Sequence, residues 1–211
     1  MFTSAKLAGP VLAAAADLLG ARLVRYTSGE PPRVGRIVEV EAYGGPDDRA
    51  SHARAGLTAR TRPMFGPPGR AYVYRVYGMY DCLNVVTGPD GEAAAVLIRS
   101  VEPIEGLPAM RAACDAAALR RGRRAQRPVP DLRLAAGPGL LCDALGIGRW
   151  ANDLDLCGGA AELGLEAAHP GDRPAQPAWT SRIGVAHAGE PWASLPWRLV
   201  DRGSASISVG F

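Results

Sequence analysis

Apolar and polar positions alternate in short runs along most of the chain, and turn-forming residues separate the runs. Residues 22–27 and 34–43 read as two strands joined by Ser28-Gly29-Glu30-Pro31-Pro32, a turn-rich connector. Residues 71–77 and 82–87 read as a hairpin around Gly78-Met79-Tyr80-Asp81, and a third strand, 93–101, follows Gly88-Pro89-Asp90-Gly91. Two final strands are expected near 182–186 and 197–201. Helical periodicity is confined to three places. One helix opens at Pro10 and closes at Gly20, a second spans 105–119, and a third opens near Gly137-Pro138 and ends at Gly146. Residues 44–70 carry Gly, Pro and Arg without a period, which predicts a long ordered loop. Loops of that length inside a compact domain are usually functional. Residues 120–133 are basic and irregular, and 147–180 are Gly/Pro-rich and weakly patterned. Together these elements predict a single α+β domain over residues 1–211, with a curved, mostly antiparallel β-sheet surrounded by short helices.

Composition fits that reading. A chain of 211 residues that is 47% hydrophobic buries a sizeable core and is not disordered. The stretch LAGPVLAAAADLLGARLV has the outline of a signal peptide, but Asp17 breaks its apolar run and Lys6 is a weak basic start. An amphipathic helix is the better reading. No run reaches the ~18 apolar residues of a membrane span, so a soluble, cytoplasmic protein is expected, nucleoid-associated if bacterial. Cys82, Cys114, Cys142 and Cys157 form no CxxC pair and stand in no metal-ligand spacing with His52, His169 or His187. Reduced thiols and no metal site are expected.

Strand alternation groups the candidate chemistry. On residues 34–43, Ile37, Glu39, Glu41 and Tyr43 are expected on one face and Val38, Val40 and Ala42 on the other. A face with two carboxylates is either wetted by solvent or holds a general base beside a stacking surface. Tyr72, Tyr74, Tyr77 and Tyr80 crowd one hairpin, whose tip would present Tyr77, Met79 and Tyr80 around Gly78. Such a tip either folds back onto the core or is a contact surface, of the kind a wedge between stacked bases requires. Asn84 and Arg99 interrupt apolar strands and need partners, either within the protein or in a pocket. His52 lies among Arg49, Arg54, Arg60 and Arg62 and could be a plain surface residue.

The formal net charge is only +3, and 23 of the 24 basic residues are arginine. Codon usage of a GC-rich genome accounts for that bias, but arginine also suits bidentate phosphate contacts. Its placement is more telling than its total. Residues 110–133, which include Arg120, Arg121, Arg123 and Arg124, carry a local charge of +5. Such a run is either a solvated loop or a phosphate-binding one.

The order of these pieces resembles the alkyladenine (3-methyladenine) DNA glycosylase family. The likeness runs through Arg36-Ile-Val-Glu-Val-Glu-Ala-Tyr43, Ser51-His52, Met64-Phe65-x-x-Pro-Gly69, Tyr72-Val-Tyr-x-x-Tyr-Gly-Met-Tyr80, Cys82-x-Asn84 and Val96-Leu-Ile-Arg99-x-x-Glu-Pro103. It resumes at Gly137-Pro138-x-x-Leu141-Cys142 and Arg182-Ile-Gly-Val-x-His-Ala-Gly-Glu190. The resemblance implies a monofunctional enzyme that flips a damaged purine from duplex DNA and hydrolyses its N-glycosidic bond without a cofactor. By position it implies Glu41 as general base, and Tyr43, His52 and Tyr74 as stacking walls. Tyr77 would fill the gap in the duplex, and Asn84 would exclude the 2-amino group of guanine. Arg99 and the backbone near Ile183 would hold the water and the adjacent phosphate. Lys6, the sole lysine, precedes the first helix, which disfavours a Schiff-base mechanism. The expected partner of this monomer is double-stranded DNA containing damaged purines, with no membrane. Two alternatives are a non-catalytic damaged-DNA binder on the same scaffold and a hydrolase of free nucleosides.

Overall fold

The computed structural model describes residues 2–122, 129–159 and 162–208. Eight strands form one open sheet in which every pairing is antiparallel: β1 (Arg22–Arg25), β2 (Arg33–Gly44), β3 (Ala71–Val76), β4 (Tyr80–Val86), β5 (Ala94–Glu105), β6 (Leu163–Glu166), β7 (Pro177–Thr180) and β8 (Arg198–Asp201). Among the described residues three α-helices accompany it: α1 (Val11–Leu18), α2 (Leu107–Arg120) and α3 (Pro138–Leu145). The α+β architecture expected from the sequence is therefore the one observed.

The long strand β2 organises the sheet. Along one edge it pairs with β5, and its other pairings are divided between β1, at 33–36, and β8, at 39–41. The helix-facing side of the sheet contributes Val40, Ala42, Val73, Leu83, Val96 and Ile98 to the main core, together with Leu18 of α1 and Leu141 and Leu145 of α3. The opposite side carries a smaller cluster, in which Tyr72, Val86 and Ala95 meet Ala53 and Met64 from the long loop. That loop is ordered by short 3-10 turns at His52–Ala55 and Arg62–Phe65, the first capped by Ser51 Oγ accepting from Ala53 N.

Several expectations are corrected. β2 carries a bulge around Val38, and Ile37 joins Val40 and Ala42 in the helix-side core instead of sharing a face with Glu39. A bulge inserts one residue and shifts the alternation by one. Residues 182–186 are not a strand; the chain there runs irregularly into a 3-10 turn at Ala186–Ala188, with Ile183 N donating to the Glu41 side chain. Residues 147–180 contain two strands, β6 and β7, each only four residues long and on the periphery of the sheet. Tyr80 and Asp81 belong to β4, so the hairpin turn is tighter than the sequence suggested. None of the described helices is long and apolar enough to cross a membrane.

Candidate active site

Register alone brings four site positions into one row. Tyr72 pairs with Asn84, Asn84 with Leu97, and Leu97 with Glu41, across β3, β4, β5 and β2. Cross-strand partners share a face, and this row floors a cleft of about 850 Å³. The long loop supplies one wall with His52 and Arg60, and Ile183, Gly184 and His187 supply another.

Glu41 is fully buried at the floor, so the solvent-wetted reading of this strand face is excluded. Its Oε1 accepts from Ile183 N at 2.7 Å and faces Arg99 Nη1 at 3.2 Å. Its Oε2 accepts from the Tyr43 hydroxyl at 2.8 Å. Burial and the Glu41 carboxylate push the Tyr43 hydroxyl well above its ordinary value, so that it remains a donor. Arg99 spans two carboxylates, because its Nε also donates to Glu39 Oε1 at 2.8 Å. Burial opposes the Arg99 charge, but Glu41 and Glu39 outweigh it. Glu39 is itself saturated, accepting from Arg198 Nε at 2.7 Å, Ser100 Oγ at 3.1 Å and Ser208 N at 2.6 Å. Burial would raise the Glu39 carboxyl, yet Arg99, Ser208 N and Arg198 hold it below its usual value. Of the two carboxylates, Glu39 is an anchor for Arg99, and Glu41 is the one that faces the cleft.

The aromatic walls are coupled. His52 meets Tyr74 edge-on with centroids 4.6 Å apart, and its Nδ1 lies 3.0 Å from the Tyr72 hydroxyl. Burial, Arg60 and His187 lower the His52 imidazole to about 4. The sign of the linkage is then fixed. The unfolded chain takes up the proton near 6.5 and the folded chain only near 4, so stability falls as pH drops through that window. An NMR titration should show His52 neutral at pH 5.5, with His52→Gln flattening the loss of stability between pH 6.5 and 4; a half-protonated His52 at pH 6.5 would contradict this. Asn84 is buried and its Nδ2 donates to Tyr72 O at 2.9 Å.

Two residues that sequence reasoning did not single out hold the walls together. Arg182 is buried and pairs bidentately with Asp48, Nη1–Oδ2 at 2.5 Å and Nη2–Oδ1 at 2.9 Å. It also donates to Ala42 O at 3.0 Å and Trp192 O at 3.2 Å, with its guanidinium 4.8 Å from the Tyr43 ring centroid and 5.1 Å from that of Trp197. This clamp sets Ile183 N against Glu41. The signal was faint: one Asp in a Gly/Pro loop and one Arg just before an apolar pair, 134 positions apart.

At the hairpin tip Tyr77 is 84% exposed and left-handed (φ 52°), followed by left-handed Gly78, and the turn closes through Met79 N to Val76 O at 3.1 Å. An aromatic residue in that region costs about 1–2 kcal/mol. Strain kept at an exposed ring points to use of that ring. Tyr77→Asn, which tolerates the conformation, should raise stability by about 1 kcal/mol in urea melts; an unchanged or lower midpoint would show that no strain is stored there. Met79 is exposed, whereas Tyr80 is not at the tip. Its ring lies against Gly139, where a Cβ would come within 2.7 Å, and under the Arg121 guanidinium at 4.5 Å. Arg121 is further tied to Asp143 by two hydrogen bonds of 3.0 and 2.5 Å. Arg120 is exposed at the end of α2, and Arg123 and Arg124 lie outside the described residues.

The site thus joins a buried carboxylate with fixed donors to a cleft walled by flat rings and rimmed by arginines, a shape that suits a planar ligand. Known proteins similar to the chain give its family. The model of the methylpurine-DNA glycosylase family matches residues 5–205, and the chain belongs to that family. A protein of Anaeromyxobacter dehalogenans (strain 2CP-C), named provisionally as a 3-methyladenine DNA glycosylase, is 50% identical over 90% of this chain and 78% of its own length. Another, provisionally named alike, from Methanocella arvoryzae is 47% identical over 94% and 91%. The human DNA-3-methyladenine glycosylase is 44% identical over 95% of this chain and 65% of its own length.

Proposed function

We propose that this chain is a monofunctional DNA glycosylase that turns an alkylated or deaminated purine, of the 3-methyladenine or hypoxanthine kind, out of duplex DNA. It then hydrolyses the N-glycosidic bond, leaving an abasic site for base excision repair. Family membership supports the reaction class, and the observation that carries the site assignment is the buried Glu41 carboxylate facing an aromatic cleft.

The chemistry follows from the donors. A water oxygen bonds to C1′ as the C1′–N bond breaks and its electron pair leaves with the purine. Glu41 takes the proton from that water and stabilises the oxocarbenium-like sugar. Tyr43 and Ile183 N hold the carboxylate, and Arg99 is a positioning residue fixed between Glu39 and Glu41. Tyr43, His52 and Tyr74 stack on the purine, a contact worth about 1–3 kcal/mol per base. Asn84 stands against the 2-amino group of guanine. Tyr77, aided by Met79, fills the vacated stack, with Tyr80 supporting the tip from behind. Arg120, exposed at the end of α2, approaches a phosphate, whereas Arg121 is held by Asp143. Lys6, paired at 3.8 Å with Asp17 and outside the cleft, offers no Schiff-base route. The protein works as a single-domain monomer in the cytoplasm or nucleoid.

Duplexes with one hypoxanthine or 3-methyladenine, incubated with the protein and then treated with alkali, should break at the lesion. Undamaged duplexes and free nucleosides should stay intact. Hydrolysis of the nucleosides instead would favour the small-molecule alternative, and tight binding without strand breaks the non-catalytic one.

A further inference from the structure

Arg60 stands apart from the other cations of the cleft. Like Arg49 and Arg54, which also line the cleft, it is in no ion pair among the described residues and is exposed on an arginine-rich loop. Its guanidinium turns inward instead. Nη2 lies 3.3 Å from His52 Nε2, and Cζ lies 5.4 Å from the centroid of the Tyr74 ring. An Arg N–H can donate to Nε2 only if that nitrogen keeps its lone pair. The imidazole is then neutral, with its proton on Nδ1 directed at the Tyr72 hydroxyl.

We infer that Arg60 is a specificity-determining residue that covers the aromatic cleft with a fixed positive charge and disfavours cationic purines relative to neutral ones. The inference rests on the glycosylase reading above. Aromatic faces attract one cation at a time into a given position. A 7-alkylated guanine brings its own positive charge to rings that Arg60 already occupies, and its N7 lone pair is spent on the alkyl group. It meets repulsion and offers the guanidinium no acceptor there. Hypoxanthine is neutral and keeps both N7 and O6 as acceptors, so Arg60 can stay over the cleft and donate to it. Discrimination here comes from an unfavourable contact with the wrong ligand, not only from a good contact with the right one.

The test compares single-turnover kcat/KM on duplexes bearing 7-methylguanine or hypoxanthine for the unchanged protein, Arg60→Gln and Arg60→Lys. Arg60→Gln should raise the 7-methylguanine/hypoxanthine ratio roughly tenfold, as expected for removal of one like charge at close range, and Arg60→Lys should keep it near its starting value. An NMR titration should show the His52 imidazole, which Tyr72, Tyr74 and His187 also face, becoming more basic in Arg60→Gln. An equal loss on both lesions with a shallower salt dependence would make Arg60 a phosphate contact and overturn the proposal. So would an unchanged or lowered ratio. If the unchanged protein excises neither of these lesions nor 3-methyladenine, the glycosylase reading falls and takes this one with it; excision of both with the ratio unmoved in Arg60→Gln overturns this one alone.

Discussion

Glu41→Gln should abolish excision by about three orders of magnitude while leaving affinity for damaged duplex within a few fold. The amide nearly preserves shape, so the Tyr43 hydroxyl at 2.8 Å and Ile183 N at 2.7 Å still have an oxygen to meet on at least one side. Two things are lost. A neutral amide cannot accept the proton of the attacking water, and it leaves a developing positive sugar without its counter-charge in a site shielded from solvent. Glu39 does not substitute. Its two oxygens are occupied by Arg99, Arg198, Ser100 and Ser208, and the favourable contacts that hold it ionised also leave it no open position toward the cleft. Arg99, relieved of one of its carboxylates, remains paired to Glu39 and keeps the floor assembled.

Asp48→Ala should be the most damaging substitution for stability. Arg182 and Asp48 are both buried, and removing the carboxylate leaves a guanidinium in the interior without its counter-ion. Breaking one side of such a pair costs about 3–5 kcal/mol, a fall in Tm on the order of 10 °C for a chain of this size. Asp48 also accepts from Gly44 N at 3.2 Å and Ala50 N at 3.0 Å, so the start of the long loop loosens with it. Ile183 N, which adjoins Arg182, then drifts from Glu41, and the variant should lose excision even at temperatures where it is folded. Thermal melts with single-turnover rates at 15 °C check both parts. A melt within 2 °C of the unchanged protein would contradict the clamp, and a folded, fully active variant would deny it any part in setting Glu41.

The sequence carried what local rules encode. Alternation and turn residues located β1 to β5, and Pro10, Gly137-Pro138 and Gly146 marked the ends of α1 and α3. Glu41 and Tyr43 share a face as their spacing of two requires, and they meet through a hydrogen bond. What stayed hidden depends on contacts between distant segments. The bulge at Val38 reassigns Ile37, and nothing local announces it, since Val is an ordinary strand residue. β6 and β7 are four residues each and exist because β1 and β8 offer them an edge. Tyr80 reads as an exposed tip residue until Gly139, nearly sixty positions later, provides the flat surface it lies on. Arg121 reads as one more member of a basic run until Asp143 claims it. Asp48 and Arg182, the clamp of the whole site, are a pair only in three dimensions.

The proposed role of Glu41 in hydrolysing a damaged purine held in this cleft is decided by the single-turnover rate of abasic-site formation on one hypoxanthine-containing duplex, measured for the unchanged protein and Glu41→Gln, with Kd for the same duplex in parallel. Product is expected from the unchanged protein, with a rate about a thousandfold lower in the variant and nearly equal Kd. A Gln variant that excises at the unchanged rate would remove Glu41 from the chemistry.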